Sequence, residues 1–143
     1  VTLVYFDSSA LVKLVLEEDG SDVVAALWNG CDAALSSRLA YVEVAAAIAA
    51  AGRNHVLAAA EASRATADWQ NFWASIRPVE LTAAVEQHAG VLAQDLALRG
   101  ADAIHLASAL ALGIPDLIMA VWDRRLHTAA TTSGISVAPA IIN

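Results

Sequence analysis

Four carboxylates, Asp7, Glu43, Asp102 and Asp123, stand where acids are out of place in this sequence. Each falls at the expected C-terminal end of a strand or on the inward face of a helix, inside an otherwise apolar stretch. Asp7 follows Val4-Tyr5-Phe6 and Asp123 follows the run from Leu117 to Val121. Glu43 lies among Leu39, Ala40, Val42, Val44 and Ala46, where a solvated glutamate is unusual. Asp102 opens the segment Ala101 to Leu112, apolar nearly all round, where helix-end amides and the dipole favour a negative charge. If the four converge, two carboxylates about 4 Å apart repel by roughly 4 kcal/mol at an effective dielectric near 20. Such a cluster must bind protons or hold a cation, and a divalent metal ion is the expected answer.

Other polar residues lie close to these acids in sequence. Ser9 is placed to orient a carboxylate, touch a phosphate or cap a helix, and His105 falls one turn after Asp102 on the same buried segment. Lys13 follows Asp7, Arg38 precedes Glu43, Arg99 precedes Asp102, and Arg124 with Arg125 follows Asp123. Arginines there can steer phosphate, although solvated arginines at helix ends are common.

Positioning these residues requires alternating strands and helices. Residues 2 to 6 read as a buried strand, and Asp7-Ser8-Ser9 offers caps for a helix from about Ala10 to Glu18, ended by Asp19-Gly20. Ser21 is expected to cap a short helix to Trp28, and Ala33 to Leu35 reads as a weak strand leading into Ser36-Ser37. An apolar helix over roughly Arg38 to Ala51 should stop at Gly52, and Asn54 should start a long helix to about Ile76, terminated by Pro78. Pro78 to Leu81 reads as a short strand. Thr82 should cap a helix carrying Val85, Ala89, Leu92 and Leu96, ending near Arg99-Gly100. A buried helix to Gly113, a strand over Leu117 to Val121, a helix over Asp123 to Ser133 and a last strand at Ile135 to Val137 complete the chain. The order predicts an α/β fold with a mainly parallel central sheet flanked by helices, in which ligands bind at the carboxyl ends of the strands.

The 143 residues are most simply one domain, residues 1 to 143, able to bury a core without disulfides. Hydrophobic residues make up 58%, much of it alanine, and no stretch of about 20 residues lacks charge or polarity, so no membrane span is expected. Val1 to Phe6 lacks a basic region and cleavage site and is not expected to be a signal peptide. Cys31 is the single cysteine, which excludes an internal disulfide and a cysteine zinc site and fits a reducing cytoplasm. A net charge of −7 argues against broad adhesion to nucleic acid, although divalent ions at the acids would reverse that locally, and suits a basic protein partner.

Four blocks carry a family resemblance over nearly the whole chain. The run Tyr5-Phe6-Asp7-Ser8-Ser9-Ala10-Leu11-Val12-Lys13-Leu14 resembles the opening of PIN-domain proteins, especially VapC-type toxins of bacterial toxin–antitoxin pairs. Leu39 to Val44, Arg99 to Ala109, and Trp122 to Leu126 with Ala129-Ala130 and Gly134 agree in order and spacing. The resemblance implies a Mg²⁺- or Mn²⁺-dependent ribonuclease cutting single-stranded or looped RNA, with Asp7, Glu43, Asp102 and Asp123 as catalytic metal ligands. It further implies a homodimer and a VapB-type antitoxin, whose C-terminal segment is received by a groove that the long middle helix helps form. Trp69, Phe72 and Trp73 on that helix are either core or an exposed apolar strip. One departure is Val121, where the family often has a small polar residue two before the last aspartate.

Rival readings are a housekeeping PIN nuclease for RNA maturation, with the same chemistry and no antitoxin, and a degenerate PIN scaffold that only binds. The complete acidic quartet weighs against the scaffold. A phosphoacceptor receiver domain needs an acidic pair beside the first strand, and Asp7 is followed by two serines.

Overall fold

The computed structural model describes residues 1–142. Leu3–Phe6 (β1) is apolar on every residue because both sides of the sheet are covered, the expected composition of a central parallel strand. Around it lie Ala33–Ser37 (β2), Ile76–Val79 (β3), Ile118–Ala120 (β4) and Ser136–Ala138 (β5). The order is β3-β2-β1-β4-β5 and every pairing is parallel. The chain first builds outward from β1 to β3 and then crosses back to place β4 on the other side of β1. The topological switch point is therefore between β1 and β4, where doubly wound sheets open their binding crevice.

Alternation along β1 sends Val4 and Phe6 to one face and Tyr5 to the other. On the Val4/Phe6 face pack Ser8–Val15 (α1), Ser21–Gly30 (α2), Ala40–Arg53 (α3) and Ala59–Ala74 (α4), through Leu11, Val24, Val44, Ile48 and Trp69. On the Tyr5 face pack Ala83–Asp95 (α5), Gly100–Ala111 (α6) and Arg124–Thr132 (α7), through Val85, Leu92, Leu106 and Leu126. Val121 is wholly buried in this second cluster, so its side chain serves packing.

Several boundaries differ from the sequence reading. The first helix starts at Ser8 because Asp7 itself is the cap, accepting from the Ala10 amide. The helix at Ser21 is preceded by Gly20 at φ 94°, and the Ser21 hydroxyl instead bonds Leu16 O and the Glu18 amide. A Cβ on Gly20 would stand 2.9 Å from the Trp122 indole nitrogen, so this turn admits no larger residue without a shift. The α3 helix runs through Gly52 to Arg53, and the chain reverses at His55, φ 58°, before α4 begins at Ala59. Arg99-Gly100 opens α6, since α5 already ends at Asp95 and Ala97 takes the left-handed turn. Pro78 sits inside β3, tolerated because that strand is at the sheet edge.

Candidate active site

Parallel strands bring their exits to one edge, and that edge collects the acids. Asp7 is the residue after β1, Glu43 lies in the first turn of the helix that follows β2, and Asp123 lies three residues beyond β4. Asp102 joins them from the first turn of α6.

Asp7 is 3% exposed, and its backbone amide donates to Ala120 O at 3.1 Å, which pins it against β4. Its Oδ1 accepts from Ser9 Oγ at 2.7 Å and from the Ala10 amide at 2.9 Å. Ser9 Oγ in turn accepts from the Trp122 amide at 3.3 Å, so one hydroxyl ties the β1 exit to the loop carrying Asp123. Among the described residues no hydrogen bond reaches Asp7 Oδ2, yet no enclosed side-chain nitrogen or oxygen lacks a partner. Oδ2 is therefore not fully enclosed. Burial, reinforced by the negative charge of Asp102 and opposed by His105, Ser9 and Ala10, pushes the Asp7 carboxyl up to about 6.

Glu43 is held differently. Its Oε1 receives Ser8 Oγ–H at 2.6 Å and His105 Nε2–H at 2.7 Å. Burial acts to raise this carboxyl, but the His105 and Ser8 hydrogen bonds and the histidine charge prevail and hold it below the usual glutamate value. Asp102 and Asp123 share Arg99: its Nε donates to Asp102 Oδ2 at 3.0 Å and its Nη2 to Asp123 Oδ2 at 2.9 Å. Asp123 also caps α7, accepting from the Leu126 amide at 2.9 Å.

The four acids thus occupy one edge, each held by neighbouring side chains. Among the described residues no three His, Cys, Asp or Glu side chains stand together in metal-holding geometry. Asp102 and Asp123 turn to Arg99, Glu43 turns to His105 and Ser8, and Asp7 turns to Ser9 and its own helix. Three oxygens, Asp7 Oδ2, Glu43 Oε2 and Asp102 Oδ1, accept no hydrogen bond from the described residues. A set of hard carboxylate oxygens without thiolate fits Mg²⁺ or Mn²⁺.

Of the basic residues near these acids in sequence, only Arg99 reaches them. Lys13 pairs with Glu18 and lies over the Trp122 ring, and Arg38 pairs with Glu80. Arg124 and Arg125 are exposed at the start of α7, with Arg124 directed to the Ile142 carbonyl. His105, expected near Asp102, is 2% exposed and bonded to Glu43 instead. Ser8 and Tyr5, whose hydroxyl meets His105 Nδ1 at 2.8 Å, are polar parts of the site that sequence reasoning missed. Their one visible signal was position in the first block, Ser8 immediately after Asp7 and Tyr5 two before it.

The Asp7 shift has a measurable sign. Its carboxyl sits at about 6 in the folded chain against 3.8 ordinarily, so between those values the folded state binds more protons than the unfolded. Lowering the pH from 7 toward 4 in chelator should therefore stabilise the fold through this group. Urea midpoints across that interval test it, and Asp7→Asn should remove this part of the dependence. Glu43 acts in the opposite sense, losing stability only below the usual glutamate range.

The PIN domain pattern matches residues 4–130. Ribonuclease VapC45 and Ribonuclease VapC49, from two strains of Mycobacterium tuberculosis, are each 67% identical over 138 residues, covering 96% of this chain and 96% of theirs. A chain of a toxin–antitoxin complex from Klebsiella pneumoniae shares the fold with a TM-score of 0.69 at 17% identity, over 98% of this chain and 99% of that one. With fold and sequence in agreement, the chain belongs to the PIN-domain family, among its VapC-type members.

Proposed function

We propose that this chain, as one PIN domain over residues 1–143, is a ribonuclease toxin that requires Mg²⁺ or Mn²⁺ and cleaves single-stranded or looped RNA. The observation that carries the reading is the gathering of Asp7, Glu43, Asp102 and Asp123 at the carboxyl edge of three neighbouring parallel strands. The ribonuclease names of the 67%-identical relatives support it.

These four side chains would hold the ion. When bound, it supplies Lewis acidity at the scissile phosphate and lowers the pKa of an attacking water. The chain's own residues do the rest. Ser9 fixes Asp7, and Ser8 with His105 fixes Glu43 in its ionised form. Arg99 neutralises Asp102 and Asp123 and, on leaving them, is placed to meet phosphate. Arg124 and Arg125 sit in the first turn of α7, where the helix dipole disfavours cations, and an RNA backbone there would offset that cost. No protein nucleophile is required.

Neutralisation by a cognate VapB-type antitoxin fits the open cleft of ≈ 760 Å³ between α3 and α4, lined by Tyr41, Ile48, Leu57, Ala62 and Trp69 among others. An amphipathic helix suits that apolar trough, and a basic residue beyond it would reach the acids and exclude phosphate. The proposal places the toxin in the cytoplasm as a homodimer. No helix among the described residues is long and apolar enough to cross a membrane.

Purified chain incubated with a labelled single-stranded RNA should cleave it with Mg²⁺ or Mn²⁺ and stop in EDTA, and undiminished cleavage in EDTA would overturn the metal dependence. Arg99→Ala should tighten Mn²⁺ binding up to about fivefold, because the ion no longer displaces the guanidinium. Calorimetry checks this, and unchanged affinity would mean Arg99 does not compete with the metal.

A further inference from the structure

Glu43 shows an asymmetry that its role as an acid does not demand. Both of its hydrogen bonds fall on Oε1, from Ser8 Oγ at 2.6 Å and His105 Nε2 at 2.7 Å, and none of the described residues bonds Oε2. Ser8 Oγ also lies 3.0 Å from His105 Nε2, so the three atoms close a triangle in which Nε2–H is shared between the serine and the carboxylate. Behind the imidazole, Tyr5 O–H lies 2.8 Å from Nδ1, with Tyr5 0% and His105 2% exposed. The direction of the bond to Glu43 follows from its acceptor. An ionised carboxylate only accepts, so Nε2–H donates to Glu43. The ring also meets Tyr5 edge-on, with centroids 5.9 Å apart, which leaves it little freedom to turn.

We propose that Tyr5, Ser8 and His105 are positioning residues that commit Glu43 to its cation through the single oxygen Oε2, and that this commitment selects Mg²⁺ and Mn²⁺ over Ca²⁺. The inference rests on the metal-dependent reading above. Ca²⁺ takes six to eight oxygens and favours a glutamate that binds through both, whereas Mg²⁺ demands near-ideal octahedral geometry that one-oxygen ligands satisfy. With Oε1 carrying two hydrogen bonds, from part-buried Ser8 and buried His105, two-oxygen binding requires breaking both. Freed of them, the carboxylate can turn and offer both oxygens to the larger ion.

The test is calorimetric titration of Mn²⁺ and of Ca²⁺ into the purified chain and its variants, with thermal melts beside them. His105→Leu should weaken Mn²⁺ binding by about 10- to 100-fold, the usual cost of losing an outer partner of a metal ligand. Ca²⁺ binding should weaken less, so the Mn²⁺-to-Ca²⁺ affinity ratio falls. His105→Gln, whose amide N–H can take the place of Nε2–H, should restore much of that ratio, and a loss of ratio caused by packing alone would not be rescued this way. Ser8→Ala should lower the ratio in the same direction, and it decides the matter if His105→Leu does not fold, because Ser8 is only partly buried and is not the helix cap. Folded Ser8→Ala with the wild-type ratio overturns the inference while leaving the metal site standing. A wild-type chain that binds neither ion overturns both this inference and the reading beneath it.

Discussion

Asp7→Asn is expected to lower Mg²⁺-dependent RNA cleavage by more than about a hundredfold, since losing even an outer partner of a metal ligand costs about 10- to 100-fold. The amide keeps the shape and can still accept from Ser9 and Ala10 through its oxygen. It removes the hard anion that lies near Asp102. Stability in chelator should hold or rise by about 1–3 kcal/mol, because the buried charge that pushes Asp7 up to about 6 is gone. Activity and stability thus move in opposite directions. Single-turnover cleavage at subsaturating metal, read beside urea midpoints, checks both, and wild-type cleavage by the variant would remove Asp7 from the ligand set.

The second large effect concerns stability. Trp69 is 2% exposed, its indole Nε1–H donates to Tyr41 O at 3.2 Å, and it packs against Tyr41 and Trp73. Trp69→Ala should cost about 3–5 kcal/mol and lower Tm by roughly 10–20 °C. Trp73 is only half-buried at the rim of the same cluster, so Trp73→Ala should cost much less. The two tryptophans, equivalent in the sequence as core or exposed strip, therefore separate: Trp69 is core and floors the α3–α4 cleft, while Trp73 keeps an accessible face. Equal melting temperatures for the two variants would contradict this division.

The elements that the sequence made legible are those with one dominant signal. The apolar run of β1 before Asp7, the near-continuous apolar segment of α6 and the Thr82 cap of α5 each say where they begin. Two of the failures occur where a left-handed turn is made without glycine. His55 and Ala97 carry the positive φ that ends α3 and separates α5 from α6, while the nearby Gly52 and Gly100 sit inside helices. Reading glycine as the stop therefore merged the turn before α4 into that helix and assigned Arg99-Gly100 to the wrong end of its turn.

The acids of the site were legible because each interrupts apolar sequence. Their partners were not, because they come from afar: Ser8 and Glu43 are 35 residues apart, Tyr5 and His105 100 apart, and Arg99 and Asp123 24 apart. His105 was expected to serve its neighbour Asp102, one turn away. The structure gives it to Glu43 because α3 and α6 both start at the same edge of the sheet, beside the start of α1.

The central claim is that four acids from four separate segments act on one cation site. The most direct measurement is Mn²⁺ calorimetry on the wild-type chain and on Asp7→Asn, Glu43→Gln, Asp102→Asn and Asp123→Asn, each confirmed folded by its melt. Wild type should bind the ion measurably and all four variants should bind it more weakly, with RNA cleavage falling in step. Wild-type affinity retained in the variants would contradict it.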